Sequence, residues 1–321
     1  MMIRIGTRGS DLARTQTQTV ATELERLGSV THTRIIKTQG DMVLDRPLLA
    51  LSGKGFFTKE LEDALLAGEI DIAIHSLKDL PTDNIPGLTI AAIPKRADVR
   101  DTLIMLPHAY DAQAATKAGA AEVTGVHGVA VLPLIHGARL GTSAVRRQAQ
   151  VAYWRPDVQL CDVRGNVPTR IEKLRQGQYD AILLAQAGLD RLATALPDMV
   201  RGLHCLPLMP HLFVPAPGQG ALGVQARLND AEVTTSLAPL HATSDATLVA
   251  AERLLLARLE GGCHLPLGAH ATYSTTKSSP HLTMVVFMGN LDHPERSQRL
   301  TRTATSVPAL VDAACSALGV T

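Results

Sequence analysis

A cysteine stands directly on two glycines in LEGGCHLPLG, residues 259–268. Gly261 and Gly262 allow a sharp backbone turn that would expose the sulfur of Cys263. A thiol nucleophile needs a basic partner. His264 is adjacent in sequence, and adjacent side chains in an extended segment point apart. Cys263 therefore reads either as an exposed functional thiol or as a small buried apolar residue. A second candidate is HSLKDLP, residues 75–81. Asp79 can hold a substrate N–H and stabilise a developing cation, move a proton, or cap the turn before Pro81. Lys78 can form a Schiff base or contact an anion. A third group is the arginines gathered at turns: Arg8, Arg146, Arg147, Arg164, Arg170 and Arg191. A helix N-terminus attracts anions, and a guanidinium grips carboxylate or phosphate with two bonds. Any one of these arginines, taken singly, reads first as a solvated surface residue rather than a ligand contact. As a set at the carboxyl ends of strands, they point to a ligand with several negative groups.

The elements that must position them alternate. RIGTRGSDLARTQTQTVATELERLG reads as a strand, a tight turn at Gly6-Thr7 and a helix capped by Ser10 or Asp11 and stopped by Gly28. THTRIIKTQGD reads as the next strand. Phe57, Leu61 and Leu65 fall at helical spacing, Gly68 ends that helix, and Ile70, Ile72 and Ile74 alternate as a strand running into the loop His75–Pro81. ARLGTSAVRRQAQ repeats strand, Gly-Thr turn and helix. VRGNVPTRIEKLRQGQYDAILLAQAGLDRL repeats helix, Gly177 stop, strand and loop, with Pro168 in the first turn. Leu65, Gly68 and Asp71 share their spacing with Leu174, Gly177 and Asp180. Two similar α/β domains in series are expected, and clefts between such domains favour ligands. PAPGQGALGVQAR, 215–227, reads as a linker and a strand. A strong helix from about Thr247 follows, with Leu248, Ala251, Leu255 and Leu259 on one face, then alternating segments such as LTMVVFMG and a last helix, VPALVDAACSALG. The expected layout is domain 1 over 1–100 plus 218–239, domain 2 over 101–217, and a small α+β domain 3 over 240–321.

With 321 residues, two or three domains are expected. The 45% apolar and 19% charged content is that of a globular chain. A net charge of +1 gives no global pull toward nucleic acid or a membrane surface. No apolar stretch reaches the ~18 residues of a membrane span, and the opening residues carry no signal-like apolar run. Cys161, Cys205, Cys263 and Cys315 are scattered without a C-x-x-C pair, which argues for a reduced, cytoplasmic protein and against a zinc site.

GTRGSDLARTQ, KTQGD, GKGFFTKELEDALL, DIAIHSLKDLPT, GTSAVRRQAQ, VRGNVPTRIEKL, YDAILLAQAGLDRL, PAPGQGALGVQAR and LEGGC together resemble the porphobilinogen deaminase (hydroxymethylbilane synthase) family. The matches are collinear and span about residues 3–270. The resemblance implies a monomeric cytoplasmic transferase of tetrapyrrole (haem) biosynthesis. Four porphobilinogen molecules are joined head to tail with release of ammonia, and hydrolysis frees hydroxymethylbilane. It implies a dipyrromethane primer bonded to Cys263, and no metal, nucleic acid or membrane partner. The fold it implies is α/β in three domains, the first two doubly wound like type II periplasmic binding proteins.

Porphobilinogen and the growing polypyrrole chain carry many carboxylates. The resemblance assigns Arg8, Arg146, Arg147, Arg164, Arg170 and Arg191 to them, with hydroxyl donors Ser10, Thr142 and Ser143. Asp79 matches the catalytic aspartate that stabilises the azafulvene cation, and Lys78 a neighbouring carboxylate contact. The cofactor set is Cys263, Lys78, Asp79, Thr142, Ser143, Arg146, Arg147 and Arg170. Gln16 and Gln219 match further cleft positions, and Lys54 and Phe57 an active-site loop. Three positions depart from the pattern: Ala144 replaces a serine, Ala50 replaces a frequent basic residue, and the lobe 107–138 is longer than the family's. Two other readings compete. A non-catalytic two-lobed binding protein has no use for Asp79 beside a GGC cysteine. A thiol-dependent hydrolase or transferase needs a general base that the local sequence does not supply.

Overall fold

Ile3 and Ile5 alternate along the first strand, β1 (Met2–Thr7), and both are fully buried. The computed structural model describes residues 1–38, 58–83, 85–113, 132–260, 265–274 and 281–320. Two compact units contain them: residues 1–98 with 217–262, and 99–216 with 263–321.

The first unit is built on a five-stranded sheet. Besides β1 it holds β2 (Val30–Ile35), β3 (Ile72–Ser76), β4 (Leu88–Ala92) and β10 (Leu222–Arg227), in the order β2-β1-β3-β10-β4. β1 is parallel to β2 and β3, and β10 is antiparallel to β3 and β4. Helix α1 (Asp11–Arg26) sends Val20, Ala21 and Leu24 into the core formed by Ile3, Ile5, Ile72 and Ile74. Helix α2 (Lys59–Leu66) packs Leu61 and Leu65 with Ile70 and Ala73. The parallel strands β1 and β3, covered in this way, are largely buried on both faces, which explains the run of isoleucines.

The second unit repeats this plan. Its strands are β5 (Asp101–Met105), β6 (Arg139–Gly141), β7 (Gln159–Cys161), β8 (Ala181–Ala185) and β9 (His204–Pro207), ordered β7-β6-β8-β5-β9. β6 is parallel to β7 and β8, while β5 is antiparallel to β8 and β9. Helices α3 (Val145–Trp154), α4 (Val167–Arg175) and α5 (Gln186–Ala193) complete the repeat. In each sheet the antiparallel strand comes from outside the local run of parallel ones: β10 returns late to the first, and β5 enters the second early.

The short spacing match in the sequence has a physical basis. Asp71 donates its N–H to the Arg4 carbonyl (2.8 Å) and accepts from the Arg4 N–H (2.8 Å) and Nη2 (2.6 Å). Asp180 does the same with Arg139, at 2.9, 2.8 and 3.0 Å. Gly68 and Gly177 stand at φ +69° and +71°, each closing a helix with its N–H on the Leu65 or Leu174 carbonyl. That left-handed position favours glycine.

The rest of the second unit is a three-stranded antiparallel sheet, β11 (Leu267–Ser274), β12 (His281–Met288) and β13 (Gln298–Ala304), covered by α8 (Val307–Ala317). The expected third segment, 240–321, is shared between the units. Its first helix, α7 (Thr243–Arg258), belongs to the first, and the three-stranded sheet belongs to the second. Helix α6 (Ala231–Leu237) also lies in the first unit. Among the described residues no helix is long and apolar enough to cross a membrane.

Three expectations need correction. Gly6 and Gly141 lie inside strands, not at turns. They are glycines because space is short: a Cβ on Gly6 would run into Ile70, and one on Gly141 would sit 3.0 Å from Tyr179. The segment after β8 is helix α5 rather than a loop. Helix α7 begins at Thr243, and its buried positions are Ala246, Val249, Ala251, Glu252 and Leu255 instead of a stripe through Leu248 and Leu259. A charged residue in the buried stripe hid the true face.

Candidate active site

In the first unit the expected residues collect at the carboxyl edge of the parallel strands. Arg8 follows β1, and Ser10 caps α1 by accepting the Ala13 N–H (3.3 Å). Gln16, buried on α1, donates to Ser76 Oγ at the end of β3 (2.9 Å). Lys78 and Asp79 follow directly, Lys78 half-buried and Asp79 exposed. The Asp79 N–H donates to the Ser76 carbonyl (3.0 Å), so the loop is a tight turn. Lys78 Nζ reaches Gln219 Oε1 at 3.4 Å.

The expected linker before β10 is a buried part of this edge. Pro217, Gly218, Gln219 and Gly220 are all buried. Gly220 stands at φ +85°, and a Cβ there would lie 2.6 Å from the Ala97 carbonyl. Glu252 on α7 accepts the Gly218 N–H (2.7 Å) and a bidentate pair from Arg96 (2.9 and 2.7 Å). Arg96 Nε holds the Gln219 carbonyl (2.9 Å). Glu252 is fully buried, so both its charge and its geometry depend on these partners. The next residue, Arg253, donates to the carbonyls of Leu77 (2.7 Å), Leu80 (2.9 Å) and Pro81 (2.8 Å). One turn of α7 thus holds both loops of the edge.

Behind the edge, His75 on β3 is buried with its Nε2 3.0 Å from Gln225 Oε1. Burial pushes its pKa down to about 4, and Arg8 adds to the effect against the Gln225 hydrogen bond. Glu62 on α2 is also buried and bonded to Gln225 and Thr58, and burial raises its pKa.

The second unit assembles Thr142, Ser143, Arg146, Arg147, Arg164, Arg170 and Arg191 at the corresponding edge, after β6, β7 and β8. Its chemistry differs from the expectation. Arg146 and Arg147 are buried, and both bind the fully buried Asp101 at the start of β5. Arg146 Nη1 donates to Asp101 Oδ2 (2.7 Å) and to the Val214 carbonyl (2.8 Å). Arg147 donates twice to Asp101 Oδ1 (3.0 and 2.7 Å) and once to the Leu183 carbonyl (2.9 Å). Burial alone would push the Asp101 carboxyl up. The two guanidiniums outweigh it and hold the group well below the usual carboxylate range.

The Ser143 hydroxyl is engaged with Val163, donating to its carbonyl (2.8 Å) and accepting its N–H (3.0 Å). Ala144 is the N-cap of α3 and offers no side-chain bond. Thr142 is buried, with Oγ1 3.4 Å from the Ala144 N–H. Arg170 Nε donates to the Gly165 carbonyl (2.7 Å), and burial lowers the pKa of Arg191. Cys263, Lys54, Phe57 and Ala50 lie outside the described residues, as does much of the lobe 107–138. Sequence reasoning missed Asp101, Arg96, Glu252, Arg253 and His75. For Glu252 the available signal was a charged residue at a position that the helix period assigns to the core.

The comparisons with known proteins cover the whole of this arrangement. Residues 3–235 match the family model described as porphobilinogen deaminase, dipyromethane cofactor binding domain. Residues 246–317 match porphobilinogen deaminase, C-terminal domain. A porphobilinogen deaminase of Roseiflexus castenholzii is 44% identical over 271 residues, covering 84% of this chain and 81% of the relative. One from Trichlorobacter lovleyi is 44% identical over 292 residues, covering 90% and 84%. Among solved structures, the periplasmic VFT2 domain of Bordetella pertussis BvgS is similar with a TM-score of 0.43 and 12% identity, over 79% of this chain and 92% of that one. The first family model runs through the strand-edge residues just described and the second through Glu252 and Arg253 of α7; with relatives at this identity, the chain belongs to the porphobilinogen deaminase family.

Proposed function

We propose that this chain is a hydroxymethylbilane-forming transferase that condenses four porphobilinogen molecules head to tail on a dipyrromethane primer carried by Cys263. One observation carries the residue assignment. Asp79 is an exposed carboxylate at the strand edge of the first unit, next to Lys78 and on the same edge as Arg8. A lone carboxylate among cations suits a substrate that brings its own carboxylates and develops a positive charge as ammonia leaves. Asp79 stabilises that charge on the pyrrole and holds its N–H. Lys78, Arg8, Arg164, Arg170 and Arg191 hold acetate and propionate groups, with Ser10, Thr142, Gln16 and Gln219 as polar neighbours. Arg146 and Arg147 join them through the positive charge that the single Asp101 leaves uncompensated. Ser143 acts mainly by fixing the backbone at Val163.

The donor set fits the primer, since cations outnumber carboxylates at both edges and a dipyrromethane is itself polyanionic. When bound, the primer would supply the free pyrrole carbon that takes the first unit, and each later unit would join the end of the growing chain. Cys263 serves as anchor rather than as a hydrolytic nucleophile. A cytoplasmic monomer is part of the proposal. Cys161, Cys205 and Cys315 are free thiols, as a reducing compartment requires. Asp79→Asn tests the assignment: turnover falls while the fold is kept. Full activity in that variant would remove Asp79 from the reaction.

A further inference from the structure

The tight turn that carries Asp79 leaves three carbonyls, those of Leu77, Leu80 and Pro81, in need of donors. Backbone acceptors turned away from water require partners. A single side chain supplies all three. Arg253 Nη1 donates to Leu77 and Leu80, and Nη2 to Pro81, at 2.7, 2.9 and 2.8 Å. The contact is reinforced by packing, because Leu77 and Leu80 cluster with Ala221 and with Val249 of α7, one turn before Arg253. Burial lowers the pKa of Arg253, so its charge is set against carbonyl dipoles in a poorly hydrated place. The guanidinium spans the turn on both sides of Asp79, and no ammonium can match that fork.

We propose that Arg253 is a positioning residue for the reaction: its guanidinium fixes the Leu77–Pro81 turn and so sets where the Asp79 carboxylate stands. This rests on the reading of Asp79 as the charge-stabilising group. α7 then does two jobs, since Glu252 fixes the Gly218–Gly220 loop in the same turn. The aspartate loop and the loop bearing Gln219 are registered on one helix, whose chain continues toward Cys263.

The test uses holoenzyme mixed with one equivalent of porphobilinogen, followed by intact mass. A purely structural role reduces the fraction of protein that reacts but leaves the rate constant of that fraction alone. Arg253→Met, which keeps the stem and drops the donors, should lower the rate constant for the first addition about 30-fold or more, with most molecules still reacting. Amide exchange in the peptide spanning residues 77–82 should quicken in the same variant. Arg253→Lys should fall between the two, and it carries the test if Arg253→Met does not fold. Combined with Asp79→Asn, the Arg253 change should add little, since one acts through the other. A wild-type rate constant in both Arg253 variants, or fully additive losses in the double variant, overturns the inference while Asp79 keeps its role. A wild-type rate constant in Asp79→Asn overturns both.

Discussion

The two strand edges share one topology and use it differently. In the first unit, the residues after β1 and β3 leave a carboxylate exposed and put their buried effort behind it: Arg253 on the turn, Glu252 and Arg96 on the glycine loop, His75 and Gln225 beneath. In the second unit the burial is at the edge itself, where Arg146 and Arg147 close on Asp101. The first edge presents an acid on a fixed loop. The second concentrates positive charge and neutralises only part of it. Under the proposed function, a repeated fold thus separates the group assigned to a developing cation from the groups assigned to anions.

The largest expected effect breaks the first edge. Asp79→Asn should lower turnover by about 10²–10³-fold while unfolding free energy shifts by no more than about 0.5 kcal/mol, because the side chain is exposed. Steady-state assay and thermal unfolding check both halves. The second edge should respond in the opposite sense. The carboxylate-binding role that the resemblance assigns to Arg146 and Arg147 implies that removing either would harm cofactor assembly or chain growth more than stability. With Asp101 fully buried, Arg147→Ala should instead cost about 3–5 kcal/mol of stability, read by denaturant titration. A loss under about 1 kcal/mol would mean that Asp101 finds other partners.

His75 sharpens the contrast through pH. Its folded pKa of about 4 lies below the ordinary 6.5, so the unfolded chain takes up the proton first as pH falls. Its contribution is complete above pH 6.5 and is lost as pH drops toward 4, an effect on the order of 3 kcal/mol. The charged neighbours are Arg8, whose charge opposes protonation, and Glu62, whose raised pKa gives a slope of opposite sign. Comparing wild type with His75→Gln between pH 7 and 5 isolates the histidine: the wild type should lose more stability over that range. Equal losses would show that His75 does not stay neutral. The smallest effect concerns the helix caps. Ser10→Ala should destabilise by about 1 kcal/mol and Ala144→Ser should stabilise by a similar or smaller amount, because α1 has a side-chain cap to lose and α3 has none.

The sequence was most legible where a pattern had one cause. The Leu, Gly and Asp spacing shared by 65–71 and 174–180 marked the repeat, because a left-handed glycine and an Arg–Asp clasp impose that spacing. Gly6 misled because glycine serves turns and crowding alike, and only the neighbours reveal which. The roles of Asp101, Glu252 and Arg253 were hidden for a related reason. Their partners lie 34 or more positions away in the chain, so local sequence does not name those partners. The roles of Asp79 and the arginines came from resemblance. Local spacing left them open between site and surface, and the structure adds that Arg146 and Arg147 also serve the core.

The central claim is a covalent primer on Cys263, and intact mass of the purified protein tests it most directly. The account predicts a mass above that of the polypeptide by two linked pyrrole units, absent in Cys263→Ser. If the wild-type protein shows only the polypeptide mass and gains none when porphobilinogen is added, or if Cys263→Ser keeps the added mass, the claim is wrong.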